Sequence, residues 1–427
     1  MKLNLKNIGK IKDATVEIKG ITVIAGENNT GKSTVGKALY AVFNSFYDIE
    51  NQIERARKTS LERIIDQILF MVSRTSSANF AYSLKEDLAT DLIDHAKEIN
   101  YGTESAENFL NDFFIKILCD NDTKIDKAFL KESVSRVNEI MSVKNQDMLK
   151  LVIEKRLLGE FNGQVCNIFS DNPGEIRLTI QDKHLTLTVY EDRISEVHNP
   201  EQITLNTEAI YIDDPFVLDE YSQGFIRKGN GFTNHRRQLY RKLISNQSED
   251  GLIDEIIAKD KLSRIMDKVS SVCNGDVVTE ARTGLGYRKK NSNKVLNVQN
   301  LSTGLKTFVI LKMLLLNGTI ERNGTIILDE PEIHLHPEWQ LLFAELIVLI
   351  QKEFSVHVLL NTHSPYFLNA IEVYAAKYGI YDKCKYYLAR SEQDGSYIDD
   401  VTDHIDKIYE KLARPLQDLE NEGSLYD

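Results

Sequence analysis

The stretch "IAGENNTGKST", residues 24–34, follows the apolar run "ITVI" and opens a segment with helical apolar spacing, "STVGKALYAVFNSF". It fits the pattern G-x-x-x-x-G-K-[ST] through Gly26, Gly31, Lys32 and Ser33. Each residue type has a task in holding a phosphate. Glycines let backbone N–H groups turn inward, and the helix beginning near Lys32 adds its positive end. The lysine ammonium reaches the β and γ phosphates, and the serine hydroxyl suits Mg2+. Asn28, Asn29 and Thr30 fill the loop, and Thr34 follows in the first helical turn. A plain strand-to-helix turn is the alternative, but the strand before and the amphipathic helix after favour a phosphate cradle.

Around this stretch lie 427 residues, 42% of them apolar, enough for a packed core and for two or three structural units. Cys119, Cys166, Cys273 and Cys384 stand far apart, without the spacing of a zinc site or a disulfide framework. The start, "MKLNLKNIGK", has no apolar signal core, and the most apolar runs are too short to span a bilayer. A cytoplasmic chain without a membrane segment is expected. The net charge of −12 argues against a surface that binds nucleic acid throughout.

Along the chain, residues 1–47 begin with alternating runs that read as short strands and carry the phosphate-loop candidate. Residues 48–160 are almost free of glycine and proline, with apolar groups at helical spacing such as Ile64, Ile65 and Ile68, and read as a helical insertion. Residues 161–215 are strand-rich: "EIRLTIQDKHLTLTVYED" suggests a hairpin, and "AIYIDDPFVLD" a strand stopped at Pro215. A second helical segment covers 216–275. Residues 276–427 open with another hairpin and then alternate helix and strand, as in a parallel sheet flanked by helices.

Three further motifs carry chemistry. In "GTIILDEPEIHLHPEWQ", residues 324–340, a buried strand presents Asp329 and Glu330 at its end, one carboxylate suited to Mg2+ and its neighbour to polarising water. In "NLSTGLK", residues 300–306, a Ser-Thr-Gly segment opens an apolar helix and offers hydroxyl and N–H groups to an anion. "LLNTHSPYFL", residues 359–368, ends a strand with His363, in reach of a γ-phosphate. His334 and His336 make a His-x-His pair without an evident third metal ligand. Two basic stretches interrupt the acidic background: Arg227, Lys228, Arg236, Arg237, Arg241 and Lys242, then Arg282, Arg288, Lys289, Lys290 and Lys294. Either suits a phosphate backbone, and a solvated face accounts for them equally well.

The order Gly26–Thr34, Leu301–Lys306, Ile326–Pro331, His363 resembles the ABC-type ATPase core: Walker A, signature, Walker B with D-loop, and switch histidine. The wording "GENNTGKST", "STGLK", "DEPEIHLHP" and "NTHSPYFL" is similar to the RecF, SMC and OLD-like branch of these AAA ATPases and unlike a transporter. The signature departs from the transporter form L-S-G-G-Q. No Q-loop glutamine is assigned, Gln164 in "FNGQV" being the one candidate. The resemblance covers residues 1–45 and most of 276–390.

It implies an α/β fold, an ABC-type P-loop ATPase head with a long inserted helical arm, and ATP and Mg2+ as cofactors. Lys32 would lie on the phosphates, Ser33 and Asp329 on Mg2+, Glu330 would be general base, and His363 would face the γ-phosphate. Ser302 and Gly304 would complete the site of a second copy, giving an ATP-dependent head-to-tail dimer or higher oligomer. OLD-like relatives carry a TOPRIM nuclease after the ATPase, and the stretch beyond Arg390 is too short for one. The outline is similar to the ATPase subunits of the Septu and PARIS anti-phage systems, which hold a separate nuclease effector. The alternative is a RecF- or SMC-like DNA-binding ATPase of repair or chromosome maintenance.

Overall fold

The computed structural model describes residues 1–75, 82–95, 103–119, 127–199, 203–220, 234–244, 252–280 and 284–423. The chain divides into two compact units, Met1–Tyr47 with Ile153–Asp427, and Asp48–Val152.

The larger unit is built on one eleven-stranded sheet. Its strands are β1 (Lys2–Ile8), β2 (Ile11–Glu17), β3 (Ile21–Gly26), β4 (Gly174–Ile180), β5 (Lys183–Tyr190), β6 (Arg193–His198) and β7 (Ala209–Ile212), then β11 (Thr325–Asp329), β12 (His357–Thr362), β13 (Cys384–Glu392) and β14 (Gly395–Asp400). Their order is β6-β5-β4-β1-β2-β14-β13-β3-β12-β11-β7. The expected parallel arrangement holds from β13 through β3, β12 and β11 to β7. The other half is mostly antiparallel. There β1 and β2, β4 and β5, and β5 and β6 are joined by turns too short for a crossover, so neighbouring strands must reverse direction. A separate antiparallel sheet holds β8 (Gly275–Glu280), β9 (Gly284–Lys289) and β10 (Val295–Asn297).

The central strands are apolar on both faces because helices cover both. Ile21, Val23, Ile210, Ile212, Ile326, Leu328, Val358 and Leu360 alternate onto one face and join the main core. That core also takes residues of α8 (His235–Ile244), α9 (Leu252–Val272), α10 (Thr303–Leu316), α11 (Pro337–Phe354) and α12 (Pro365–Lys377). Tyr211 and Ile327 point the opposite way, toward α1 (Lys32–Ser45), where both approach Gly36. The short helix α7 (Val217–Glu220) follows β7, and α13 (Asp406–Gly423) packs on α12 and β3.

The smaller unit is helical: α2 (Ile49–Thr75), α3 (Tyr82–His95), α4 (Glu104–Cys119), α5 (Lys127–Ser142) and the start of α6 (Asn145–Glu160). Leu61, Ile64, Ile65 and Ile68 of α2 follow the i, i+3, i+4, i+7 spacing of one helical stripe. They build a core of this unit's own with Leu88, Leu92, Leu110, Phe114, Val134 and Val137.

Candidate functional site

Parallel register brings the motifs to one edge of the sheet. Asp329 pairs with Asn361, Thr362 with Ala25, and Gly26 with Ala389, so the chain leaves β3, β11 and β12 at a common level. Ligands of open α/β sheets bind at such carboxyl ends of strands.

The loop after β3 is shaped by its glycines. Gly31 has φ 84°, and a Cβ there would stand 2.6 Å from Ile11 Cδ1. At Gly26 a Cβ would meet the Ala389 carbonyl oxygen at 2.5 Å, since β13 runs alongside. Asn29 adopts φ 63°, and its carbonyl accepts from Lys10 Nζ at 2.7 Å. The buried Thr30 hydroxyl donates to the Glu27 carbonyl at 2.8 Å. Asn28 is exposed, while Ser33 and Thr34 are half-buried in the first turn of α1. Gly31 offers no side-chain cap, which leaves the first N–H groups of α1 for an anion.

Lys32 is buried. Its ammonium donates to the Gly26 and Glu27 carbonyls at 3.0 and 2.8 Å and lies 3.4 Å from Glu330 Oε1. His363 Nδ1 is also 3.4 Å from that oxygen. Glu330 adopts a left-handed backbone, φ 50°, with its N–H donated to the Asn361 carbonyl at 2.9 Å. Asp329 is fixed at both oxygens: Tyr211 Oη donates to Oδ2 and Asn361 Nδ2 to Oδ1, each at 2.9 Å. Asn361 Oδ1 and His363 Nδ1 are buried polar atoms without a hydrogen-bond partner among the described residues. A glycine cradle, uncapped N–H groups, an ammonium and hydroxyl and carboxylate oxygens form a donor set that fits a magnesium-bound triphosphate.

The signature residues have a different setting. Ser302 is exposed at the N-cap of α10 and makes no side-chain cap. Gly304 is buried, and a Cβ there would lie 2.8 Å from the His334 carbonyl and 3.3 Å from the Trp339 ring. Among the described residues, no hydrogen bond or ion pair joins Ser302 to the phosphate loop. The helix is seated by Lys306, whose buried ammonium donates to Asp219 at 2.7 Å and to the Gln299 carbonyl at 3.1 Å.

Residues outside the motifs complete the surroundings. Burial raises the carboxyl pKa of Glu332 above its usual range, against the opposing hydrogen bond from the Thr362 hydroxyl. The ring of Tyr211 stacks on His235 at 4.3 Å. His235 lies between Glu160, 2.6 Å from Nδ1, and Asp213, 3.1 Å from Nε2. Burial alone would lower the imidazole pKa; bonds to Asp213 and Glu160 outweigh it and raise it to about 9. These partners come from segments far apart in sequence and carry no motif spacing. Only "AIYIDD", a strand ending in acids, gave a local signal.

Gln164 is exposed in the turn after α6, its N–H donated to the Phe161 carbonyl at 3.0 Å. His334 meets Phe216 edge-on at 5.9 Å, and His336 precedes α11 as its N-cap residue. No group of three His, Cys, Asp or Glu among the described residues is arranged to hold a metal. In the first basic stretch Arg236 forms a two-pronged pair with Asp213, and Lys242 pairs with Glu208. In the second, Arg288, Lys289, Lys290 and Lys294 are exposed. Arg227, Lys228 and Arg282 lie outside the described residues.

The family described as "AAA ATPase domain" matches residues 1–368. The chain belongs to this AAA ATPase family. The ATPase is also similar to "Retron Vc95 probable ATPase" of Vibrio cholerae serotype O1 biovar El Tor, 30% identical over 93 residues. That match covers 19% of this chain and 17% of the length of the relative. Among solved structures, the ATPase is similar to the SMC head bound to the C-winged helix domain of ScpA. The TM-score is 0.42 and the identity 14%, over 93% of this chain and 96% of the other. It is similar as well to the SMC head domain from Thermotoga maritima. There the TM-score is 0.37 and the identity 11%, over 94% and 98% of the two chains. The fold is α/β, one large mixed sheet covered by helices, in a member of the AAA ATPase family. No described helix is long and apolar enough to cross a membrane.

Proposed function

We propose that the chain binds and hydrolyses Mg-ATP between two copies arranged head to tail, and that this assembly controls a separate nuclease effector in anti-phage defence. The observation that supports the reading best is the meeting of Lys32, Glu330 and His363 within 3.4 Å contacts, beside the uncapped start of α1. The part-length likeness to a retron ATPase supports the defence setting.

In this reading the triphosphate lies on the N–H groups of residues 26–34, and Lys32 exchanges the Gly26 and Glu27 carbonyls for phosphate oxygens. Ser33 and Asp329 would hold Mg2+, which would supply neutralisation of charge on the β and γ phosphates. Glu330, released from Lys32, takes a proton from water as the water oxygen attacks the γ-phosphorus and the bond to ADP breaks. His363 faces the γ-phosphate from the end of β12. Ser302 and the N-terminus of α10 serve the neighbouring copy's nucleotide. Turnover is slow, because a nucleotide that holds an assembly works through its bound state.

The test is light scattering of Glu330→Gln with and without Mg-ATP. An ATP-dependent doubling of mass supports the reading, and an unchanged mass refutes the shared site. A loss of turnover of 10²-fold or more is expected for the same variant, an order typical for removing a general base. A second reading, a DNA-binding ATPase of repair or chromosome maintenance, is favoured by Arg288, Lys289, Lys290 and Lys294, exposed and without an ion pair among the described residues. DNA-stimulated turnover with a steep salt dependence would select it.

A further inference from the structure

We infer that Tyr211 is a positioning residue for Asp329, holding the Walker B carboxylate in the pose in which it takes a divalent cation. The inference rests on the Mg-ATP reading above and adds to it a residue that belongs to none of the nucleotide motifs.

Four observations converge. First, the Tyr211 hydroxyl donates to Asp329 Oδ2 at 2.9 Å while Asn361 holds Oδ1 at the same distance, so the carboxylate cannot rotate without breaking a bond. Each oxygen keeps a lone pair for a cation. Second, the hydroxyl reaches Asp329 by passing Gly36 in the interior of α1. A Cβ at Gly36 would stand 3.2 Å from that hydroxyl and 3.1 Å from Ile327 Cγ2. Glycine is a poor residue for a helix interior, and here its missing side chain leaves room for both the hydroxyl and Ile327 Cγ2.

Third, the phenol ring is wholly buried and cannot swing away. His235 stacks on it at 4.3 Å and 24°, and is itself fixed by Glu160 and Asp213. Tyr40 closes another side at 6.0 Å. Fourth, β7 and β11 are in parallel register, Tyr211 opposite Ile327, so the tyrosine's height relative to the end of β11 is set by backbone bonds. Groups that orient a metal ligand from behind commonly change metal affinity or activity by about 10- to 100-fold when removed.

The experiment uses the full chain and Mn2+ as probe, followed by electron paramagnetic resonance in the presence of a non-hydrolysable ATP analogue. Tyr211→Phe is expected to weaken Mn2+ binding about 10-fold and to leave analogue binding in EDTA unchanged. Gly36→Ala, which keeps the tyrosine but crowds its hydroxyl, is expected to weaken Mn2+ binding as well. In the Tyr211→Phe background the same alanine should cost less, because only its contacts with Ile327 Cγ2 and the ring remain. Wild-type Mn2+ affinity in Tyr211→Phe, or an equal loss from Gly36→Ala in both backgrounds, overturns the inference. Asp329→Asn separates the two levels: if it too binds Mn2+ like wild type, the Mg-ATP reading fails, whereas loss of Mn2+ in Asp329→Asn alone isolates the failure to Tyr211.

Discussion

Replacing His235 with glutamine tests whether the buried cation between Glu160 and Asp213 stabilises the fold. In the folded chain the imidazole pKa is raised from 6.5 to about 9. The unfolded chain therefore loses this proton near pH 6.5 while the folded chain keeps it until about pH 9. Stability supplied by the proton is complete below pH 6.5 and drains away as pH rises to 9. At 1.36 kcal/mol per unit, the contribution is roughly 3 kcal/mol. The ring is 8% exposed, so solvent screens little of it.

The assay is urea unfolding at a series of pH values, followed by the fluorescence of Trp339, the single tryptophan of the sequence, which packs edge-on against Phe308 in the larger unit. The stability gap between wild type and His235→Gln should shrink by roughly 3 kcal/mol between pH 6 and pH 9.5. Parallel curves across the window would refute the reasoning, since a neutral His235 gives no such slope.

Gly31→Ala should lose nucleotide affinity and roughly 1–3 kcal/mol of stability, because φ 84° and a contact of 2.6 Å with Ile11 cannot both be relieved; calorimetric titration and thermal melting would read the two losses. Asn44 accepts from the Ala209 N–H at 2.7 Å and donates to its carbonyl at 2.9 Å, clamping α1 to β7. Asn44→Ala strands both groups in the interior, and unfolding by urea should show a loss of roughly 2–4 kcal/mol. Glu345 is held by Lys268, Lys377 and Tyr378; burial opposes these bonds, and its pKa still falls to about 2. Its contribution is present above the ordinary pKa of 4.5 and is lost as pH falls toward 2. After allowance for the exposure of both lysines it amounts to roughly 1–2 kcal/mol. Glu345→Gln should flatten that acid limb in melting curves.

The candidate site was legible where chemistry is contiguous. Gly26 to Thr34, Asp329 with Glu330, and His363 each sit in a short string whose strand and helix context is visible locally, and parallel register aligns their strands. What supports them was not legible. Tyr211, His235, Glu160 and Asn361 act through stacking and hydrogen bonds between distant segments, and Gly36 is small where Tyr211 and Ile327 both approach it. The antiparallel half of the sheet follows from short turns, yet β4 joins β1 across the whole helical insertion, a pairing that no local pattern announces. Ser302 and Gly304 belong to one short string and are separated by packing: one is exposed, the other pressed on Trp339.

Glu330 occupies a left-handed backbone, a conformation that costs an ordinary residue roughly 1–2 kcal/mol and glycine almost nothing. A chain carrying glycine there would be hardier and, on the proposed mechanism, inert. Selection for heat resistance alone would drift toward that chain, so folding and the proposed turnover make opposed demands on a single position, and only an assay that scores both would keep the acid in place.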